Sequence, residues 1–305
     1  MAYEGELSAL AASLLWSASS IPFTHAARRA GAIAVNAFKT SAAALLLVGC
    51  LAVTGRLGAL AAAEPLAYLY IGLSGVIGLS LTDSLLFRSY ALIGPRIAFL
   101  VFSTGPFFAA LVAWPVLGER IAPLGLAGMA LTVGGILLVT LGGTSPGTVL
   151  ARRPQGHARG VWLAVLAALG MGVTSVLFKL GSDASRLRVL ELLPAHAFRM
   201  AMGAAGLLVI GACTGRLRHW VAAFRAPRVA GTAAFGTLFG PVLGVWFFLN
   251  GVLTTPEVGV AMTLSSLTPV MVIPFTWCFF GDRPTVRSVL GAAIAVGGVA
   301  LLFLR

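Results

Sequence analysis

The chain is poor in charge and poorer still in acid. Of its 305 residues only 10% are charged, with 21 Lys and Arg against 9 Asp and Glu. A water-soluble domain carries about 25% charged residues, so a soluble enzyme of this size is excluded. Cysteine is nearly absent too. Cys50, Cys213 and Cys278 are odd in number and form no Cys-x-x-Cys pair, which excludes a disulfide framework and a thiolate metal centre. Each lies in an apolar stretch and reads as a small packing residue. No His-Glu-x-x-His, paired Asp motif or phosphate-binding loop occurs, so no metal or cofactor is expected. The net charge of +12 does not gather into a basic stripe interleaved with aromatics, and nucleic acid is not an expected partner. The opening Met-Ala-Tyr-Glu-Gly-Glu is acidic and lacks the basic start of a secretory signal. The first apolar stretch is therefore expected to stay in the mature protein.

What the chain has in quantity is apolar length. Hydrophobic residues make up 59% of it, in long runs with short breaks. A bilayer core needs about 20 residues of helix, and ten such spans fit at 6–26, 32–53, 66–90, 96–117, 121–141, 159–181, 192–213, 229–250, 257–280 and 284–304. No gap can hold a soluble domain. This is an all-α membrane protein, with the lipid bilayer as its first partner. The break at 142–158 is rich in Gly, Pro and Arg and lies near mid-chain.

That placement marks a duplication. At a shift of 163, residues 101–142 lie over 264–305 without a gap. Ser103 meets Ser266, Pro106 meets Pro269, and Trp114 meets Trp277. Gly118-Glu119-Arg120 meets Gly281-Asp282-Arg283, and Gly128 and Gly134-Gly135 meet Gly291 and Gly297-Gly298. Phe38-Lys39 matches Phe198-Arg199 at a shift of 160. Shared Leu and Ala would mean little in such a chain; shared Pro, Trp and Gly-acid-Arg do. Each half (6–141 and 159–304, joined by 142–158) holds five spans, an odd number. The second half must then enter the bilayer from the opposite face, the inverted repeat of many secondary transporters, with the site between halves at the midplane.

The Ser-x-x-Pro of span four (Ser103, Pro106), Leu117-Gly118-Glu119-Arg120, the Gly-rich fifth helix and their second copies resemble the EamA-type drug/metabolite transporter (DMT) superfamily, nearly over the whole length. Asp282 replaces the more usual Glu. The resemblance implies ten helices, alternating access and a central cavity lined mainly by helices 1, 3, 4, 6, 8 and 9, with helices 5 and 10 in support. It names a class of small-molecule carriers and leaves the cargo open.

Ionisable groups inside apolar spans are costly and hence functional candidates. Asp83 is the only carboxylate deep within a span, about seven residues or roughly 10 Å from its end. Lys39 lies at similar depth in span two, so the two are expected to pair in one conformational state, the pair broken by substrate or a proton. A permanent structural pair is the alternative. On an α-helix Ser80, Asp83, Phe87 and Tyr90 share one face. Trp16, Ser20 and Phe23 share another on span one, where Pro22 invites a kink. Ser103, Phe178, Trp246, Asn250 and Ser266 complete the candidate cavity lining, although serines of membrane helices also bond their own backbone. Pro106, Pro241 and Pro269 join Pro22 as candidate hinges. Gly236, Gly240 and Gly244 form a small-residue ridge for close packing, Trp114 and Trp277 read as interfacial anchors, and Arg199 reads as a structural anchor to lipid phosphate or carbonyls. No acid stands at the matching part of span eight (Val245, Trp246, Asn250), so the halves differ chemically.

Gly72-Leu73-Ser74-Gly75 resembles the Gly-x-Ser-Gly of intramembrane rhomboid proteases, but His25 and His196 are ill placed to serve that serine as base. With the N-terminus cytoplasmic, the inside loops would hold six basic residues: Arg56, Arg120, Lys179, Arg186, Arg188 and Arg305. Thirteen would lie outside: Arg28, Arg29, Arg88, Arg96, Arg152, Arg153, Arg159, Arg216, Arg218, Arg225, Arg228, Arg283 and Arg287. The positive-inside rule thus places both termini outside. The expected function is a secondary carrier in the cell inner membrane, an exporter of amino acids or similar amphipathic solutes, with proton coupling open. Sugar or nucleotide-derivative transport, cationic-drug transport and a non-transporting membrane enzyme or scaffold are the alternatives. The oligomeric state cannot be read.

Overall fold

The structure, a computed structural model, describes residues 3–142, 157–183, 190–280 and 285–304. Gly281-Asp282-Arg283 and most of the 142–158 connection lie outside the described residues, as do the side chains of Tyr90, Trp277 and Cys278. Among the described residues there is no strand, and ten helices are long and apolar enough to cross a membrane. They are α1 (Glu4–Ala30), α2 (Ala32–Val53), α3 (Pro65–Ser89), α4 (Ile97–Leu117), α5 (Pro123–Leu141), α6 (His157–Gly181), α7 (Leu192–Cys213), α8 (Pro227–Thr254), α9 (Val258–Phe275) and α10 (Val286–Phe303). Helices are what such runs must form, because lipid offers a backbone no hydrogen-bond partner. Large apolar side chains such as Leu45, Trp162, Val209 and Val296 are exposed on the outside of the bundle. Cys50 and Cys213 are free and exposed, not the packing residues their setting predicts, because their helices turn those faces outward. Trp114 is likewise exposed near the end of α4.

Helix directions establish the inversion. In α1 the Gly5 position abuts Thr255 while Ser17 donates to Thr268 O, so α1 runs parallel to α9. Gly259 of α9 abuts Ala110 and its Met262 abuts Gly105, so α9 runs antiparallel to α4. Gly105 lies against Ala168 and Gly172 against Ala109, so α6 runs parallel to α4. Hence α6 begins on the face where α1 ends. The α5–α10 pair shows the two-fold directly. A Cβ on Gly128 would lie 2.9 Å from Gly298 O, and one on Gly135 would lie 2.5 Å from Gly291 O. At the repeat shift these two contacts are each other's image, and Thr132 Oγ1, 3.5 Å from Ala295 O, sits near the axis between them. The four glycines let the two backbones touch.

Two departures from straight α-helix recur in both halves. Val76–Thr82 of α3 and Leu238–Gly244 of α8 are π-helical, at a shift of 162. The wide turn gives an i→i−5 bond from Asp83 N–H to Gly78 O. Spans four and nine each break after Phe102 and Ser265 and resume at Gly105 and Thr268. The hydroxyls of Ser103 and Ser266 close back on Phe99 O (2.9 Å) and Met262 O (2.7 Å). Pro106 and Pro269 therefore sit in the first turn of a resumed helix, where a missing N–H costs nothing, and do not bend a continuous one.

Candidate functional site

The π turn decides which side chains of α3 look inward. With bonded partners five positions apart, Asp83 stacks over Gly78 and both face the bundle centre. Ser80, expected beside Asp83 on an α face, is instead fully buried and donates to Gly203 O of α7 at 2.8 Å. Lys39 Nζ reaches Asp83 Oδ2 at 3.3 Å, and both side chains are about one-fifth exposed (22% and 23%). Asn36, one turn earlier, donates to Leu79 O at 3.0 Å and ties α2 to the same widened turn.

The pair borders a cavity of about 230 Å³ lined by Trp16, Ser19, Phe23, Lys39, Thr40, Gly78, Leu79, Asp83, Met171, Arg199, Gly240, Pro241, Val245 and Phe248. Eight of these couple as four pairs of repeat counterparts: Lys39 with Arg199, Gly78 with Gly240, Leu79 with Pro241, and Asp83 with Val245. The cavity therefore lies on the pseudo-two-fold axis. A second cavity, also about 230 Å³ and almost wholly apolar, is lined by Phe99, Phe102, Ser103, Gly105, Pro106, Met262, Ser265, Ser266 and Thr268. It shares Trp16, Met171 and Phe248 with the first. Together they reach the lower part of the usual ligand-pocket range of roughly 300–1,000 Å³.

The sequence candidates divide accordingly. Trp16, Phe23, Lys39, Asp83 and Pro241 line the first cavity, and Trp16, Ser103, Pro106 and Ser266 line the second. Ser20 is off both walls, its hydroxyl on Ser17 O. Phe178 is fully buried behind the wall, 6.0 Å from the Arg199 guanidinium. Phe87 and Trp246 are half-buried away from the cavities. Asn250 donates to Ser8 Oγ at 2.8 Å and ties α8 to α1. Pro22 lies within an unbroken α1, and Pro269 stands beside the second cavity's Thr268 without lining it. Gly236, Gly240 and Gly244 pack against Phe23, Ser19 and Trp16; the ridge brings α8 onto α1, and its middle member also reaches the cavity.

Arg199 is the residue the sequence misplaces. It is 3% exposed and turned into the bundle, not towards lipid, with Nε donating to Ser74 Oγ at 3.1 Å. Ser74 also has its own hydroxyl on Ile71 O, and His196, one turn before Arg199 on α7, bonds Pro241 O at 3.0 Å; among the described residues the protease resemblance finds no serine–histidine pair. Sequence reasoning also misses a latch on the face that holds the start of α1. Glu119, thrown inward by Gly118 in the left-handed region (φ 72°), takes Lys179 Nζ at 2.8 Å and Val258 N–H at 2.8 Å. Lys179 further donates to Thr255 O and Pro256 O at 3.0 and 2.8 Å. Four span ends from both halves meet there. The signal was available: Glu119 belongs to the Gly-acid-Arg motif of the repeat.

Among the described residues no group of His, Cys, Asp and Glu could hold a metal ion. What the site offers is recognition, a charged compartment joined to an aromatic one. A solved structure titled "Crystal structure of protein" has the same fold, with a TM-score of 0.76 over 98% of this chain and 96% of that one, at 20% sequence identity. No functionally curated protein matches the chain. The model of the EamA-like transporter family matches residues 4–141 and 158–304, the two halves that the helix directions separate. The chain belongs to the EamA-like transporter family, a membrane transporter of ten helices in two inverted repeats.

Proposed function

We propose that this transporter is an exporter of amino acids or similar amphipathic small metabolites, working by alternating access in the cell inner membrane with both termini outside. One observation carries the reading of the cargo: a cavity holding an ion pair shares a wall of Trp16, Met171 and Phe248 with a cavity of almost purely apolar lining. A solute with a charged head and an apolar body fits both compartments at once, whereas a sugar would leave the aromatic compartment unsatisfied. Asp83 and Lys39 act as the switching pair, opened by substrate or by a proton; a pair this exposed is weak enough to exchange partners.

Support for direction comes from the latch. Glu119 and Lys179 bridge the termini face, while the Lys39–Asp83 pair sits towards the opposite, arginine-rich face. Were that face cytoplasmic, as the basic residues argue, the cavity would load from the cell interior. Counterflow into proteoliposomes over a panel of amino acids, sugars and quaternary amines tests the reading. Exchange of amphipathic amino acids alone is expected. Exchange of sugars or of quaternary amines would select another cargo of the same fold, and exchange of none would favour a non-transporting role.

A further inference from the structure

The repeat gives the cavity two cations and one acid. Lys39 and Arg199 are counterparts, and both line the same cavity. Lys39 has Asp83 as its partner. At the position equivalent to Asp83 the second half has Val245, on the opposite wall of that cavity. Arg199 thus lacks the carboxylate that symmetry would provide. The charge of Asp83 reaches Arg199 across the cavity, but that carboxylate is bonded to Lys39; Nε is spent on the neutral Ser74 hydroxyl, and the Phe178 ring is 6.0 Å away. Neither Nη atom has a hydrogen-bond partner among the described residues. A buried charge with no bonded counter-ion is costly, and a guanidinium held with both Nη amino groups unspent is the natural fork for a carboxylate.

Gly78 lets the guanidinium approach α3 closely, for a Cβ there would stand 2.7 Å from Thr174 Oγ1 and 3.1 Å from Arg199 Nη2. One further feature fits an incoming anion. Thr40, on the cavity wall next to Lys39, is 1% exposed and its hydroxyl has no partner. Resting on the amphipathic-solute reading above, we infer that the cargo carries a carboxylate, and that this group binds Arg199 in the place left by Val245. The transported solute supplies the missing acid of the second repeat. Its apolar body then extends past Trp16 and Phe248 into the aromatic compartment. Amphipathic cations are excluded as preferred cargo, since they would add a third positive charge to a site already carrying one in excess.

Binding to the purified full-length protein in detergent, followed by calorimetry, tests this with four probes of one shape: phenylalanine, 3-phenylpropionate, phenylalaninamide and phenethylamine. The two carboxylates are expected to bind, with phenylalaninamide and phenethylamine weaker by about tenfold or more, the usual scale for losing a charged hydrogen-bond pair. Val245→Asp gives Arg199 an internal counter-ion and is expected to remove carboxylate binding by a similar factor. Arg199→Gln should abolish the preference and Arg199→Lys keep part of it. Probes that bind without regard to charge, or a Val245→Asp protein that keeps carboxylate binding, would overturn the inference and leave the amphipathic reading standing. Failure of all four probes would overturn both. The wild-type charge series decides even where a variant does not fold.

Discussion

Glu119 and Lys179 meet at 2.8 Å across the boundary between the two repeats, and each also holds backbone of the α8–α9 connection. The pair therefore joins the ends of α4, α6, α8 and α9. Both side chains are largely buried, at 10% and 19% exposed, which places the pair between the weak surface bridges and the costly buried ones.

Glu119→Gln keeps the shape and removes the charge. It is expected to destabilise this bridge by about 1–3 kcal/mol and to raise access from the termini side. A cysteine at Thr255, in a chain with its three native cysteines replaced, should react several-fold faster with an impermeant maleimide once Glu119 is neutral. Unchanged labelling would remove the latch from the gating scheme.

Asp83→Asn leaves Lys39 charged and unpartnered in the membrane interior. Transport in liposomes is expected to fall, and the folded state to lose about 1 kcal/mol, with part of that loss recovered when Lys39→Met is added. A double-mutant cycle of detergent melting measures the coupling. A permanent structural pair would show the same coupling but leave the flux of the double variant at wild-type level.

The α5–α10 interface makes a prediction with opposite signs at adjacent residues. A Cβ on Gly135 would lie 2.4 Å from Ala295 N, while one on Gly134 meets nothing within 4 Å. Gly135→Ala should cost about 1–3 kcal/mol by forcing the helices apart, and Gly134→Ala should be neutral or stabilise by about 0.5–1 kcal/mol. Gly298 and Gly297 repeat the contrast in the other half. Melting of the four variants in one detergent checks it.

Orientation is checked by a reporter fused after Arg305 that is active only outside the cytoplasm. Activity is expected from the charge of the connecting segments; silence would reverse the loading side of the cavity.

Much of this was legible before the structure. The ten spans needed only hydropathy, and the inversion needed only an odd number of spans per half and the paired Pro, Trp and Gly motifs. Lys39 and Asp83 could be paired because helix rise converts residue count into depth. The α3 face could not, since it assumed 3.6 residues per turn where Val76–Thr82 takes a wider one. That error put Ser80 in the cavity and out of the α7 contact it makes. Arg199 was misread for a different reason. Its depth was visible, but which way a long side chain points depends on its packed neighbours, here Ser74 and Phe178. The Glu119–Lys179 latch joins residues 60 apart in sequence; the repeated motif marks Glu119, but nothing local names its partner.

The widened turns share little sequence: Val-Ile-Gly-Leu-Ser-Leu-Thr in one copy, Leu-Phe-Gly-Pro-Val-Leu-Gly in the other. Geometry has outlasted the residues that form it, and the glycine at the third position is one of only two that the copies keep. The aim of everything beyond Thr82 hangs on that single additional peptide unit. Were it deleted, the carboxylate that Lys39 now meets would swing about 100° around the α3 axis, and the carrier would be disarmed without the loss of any polar side chain.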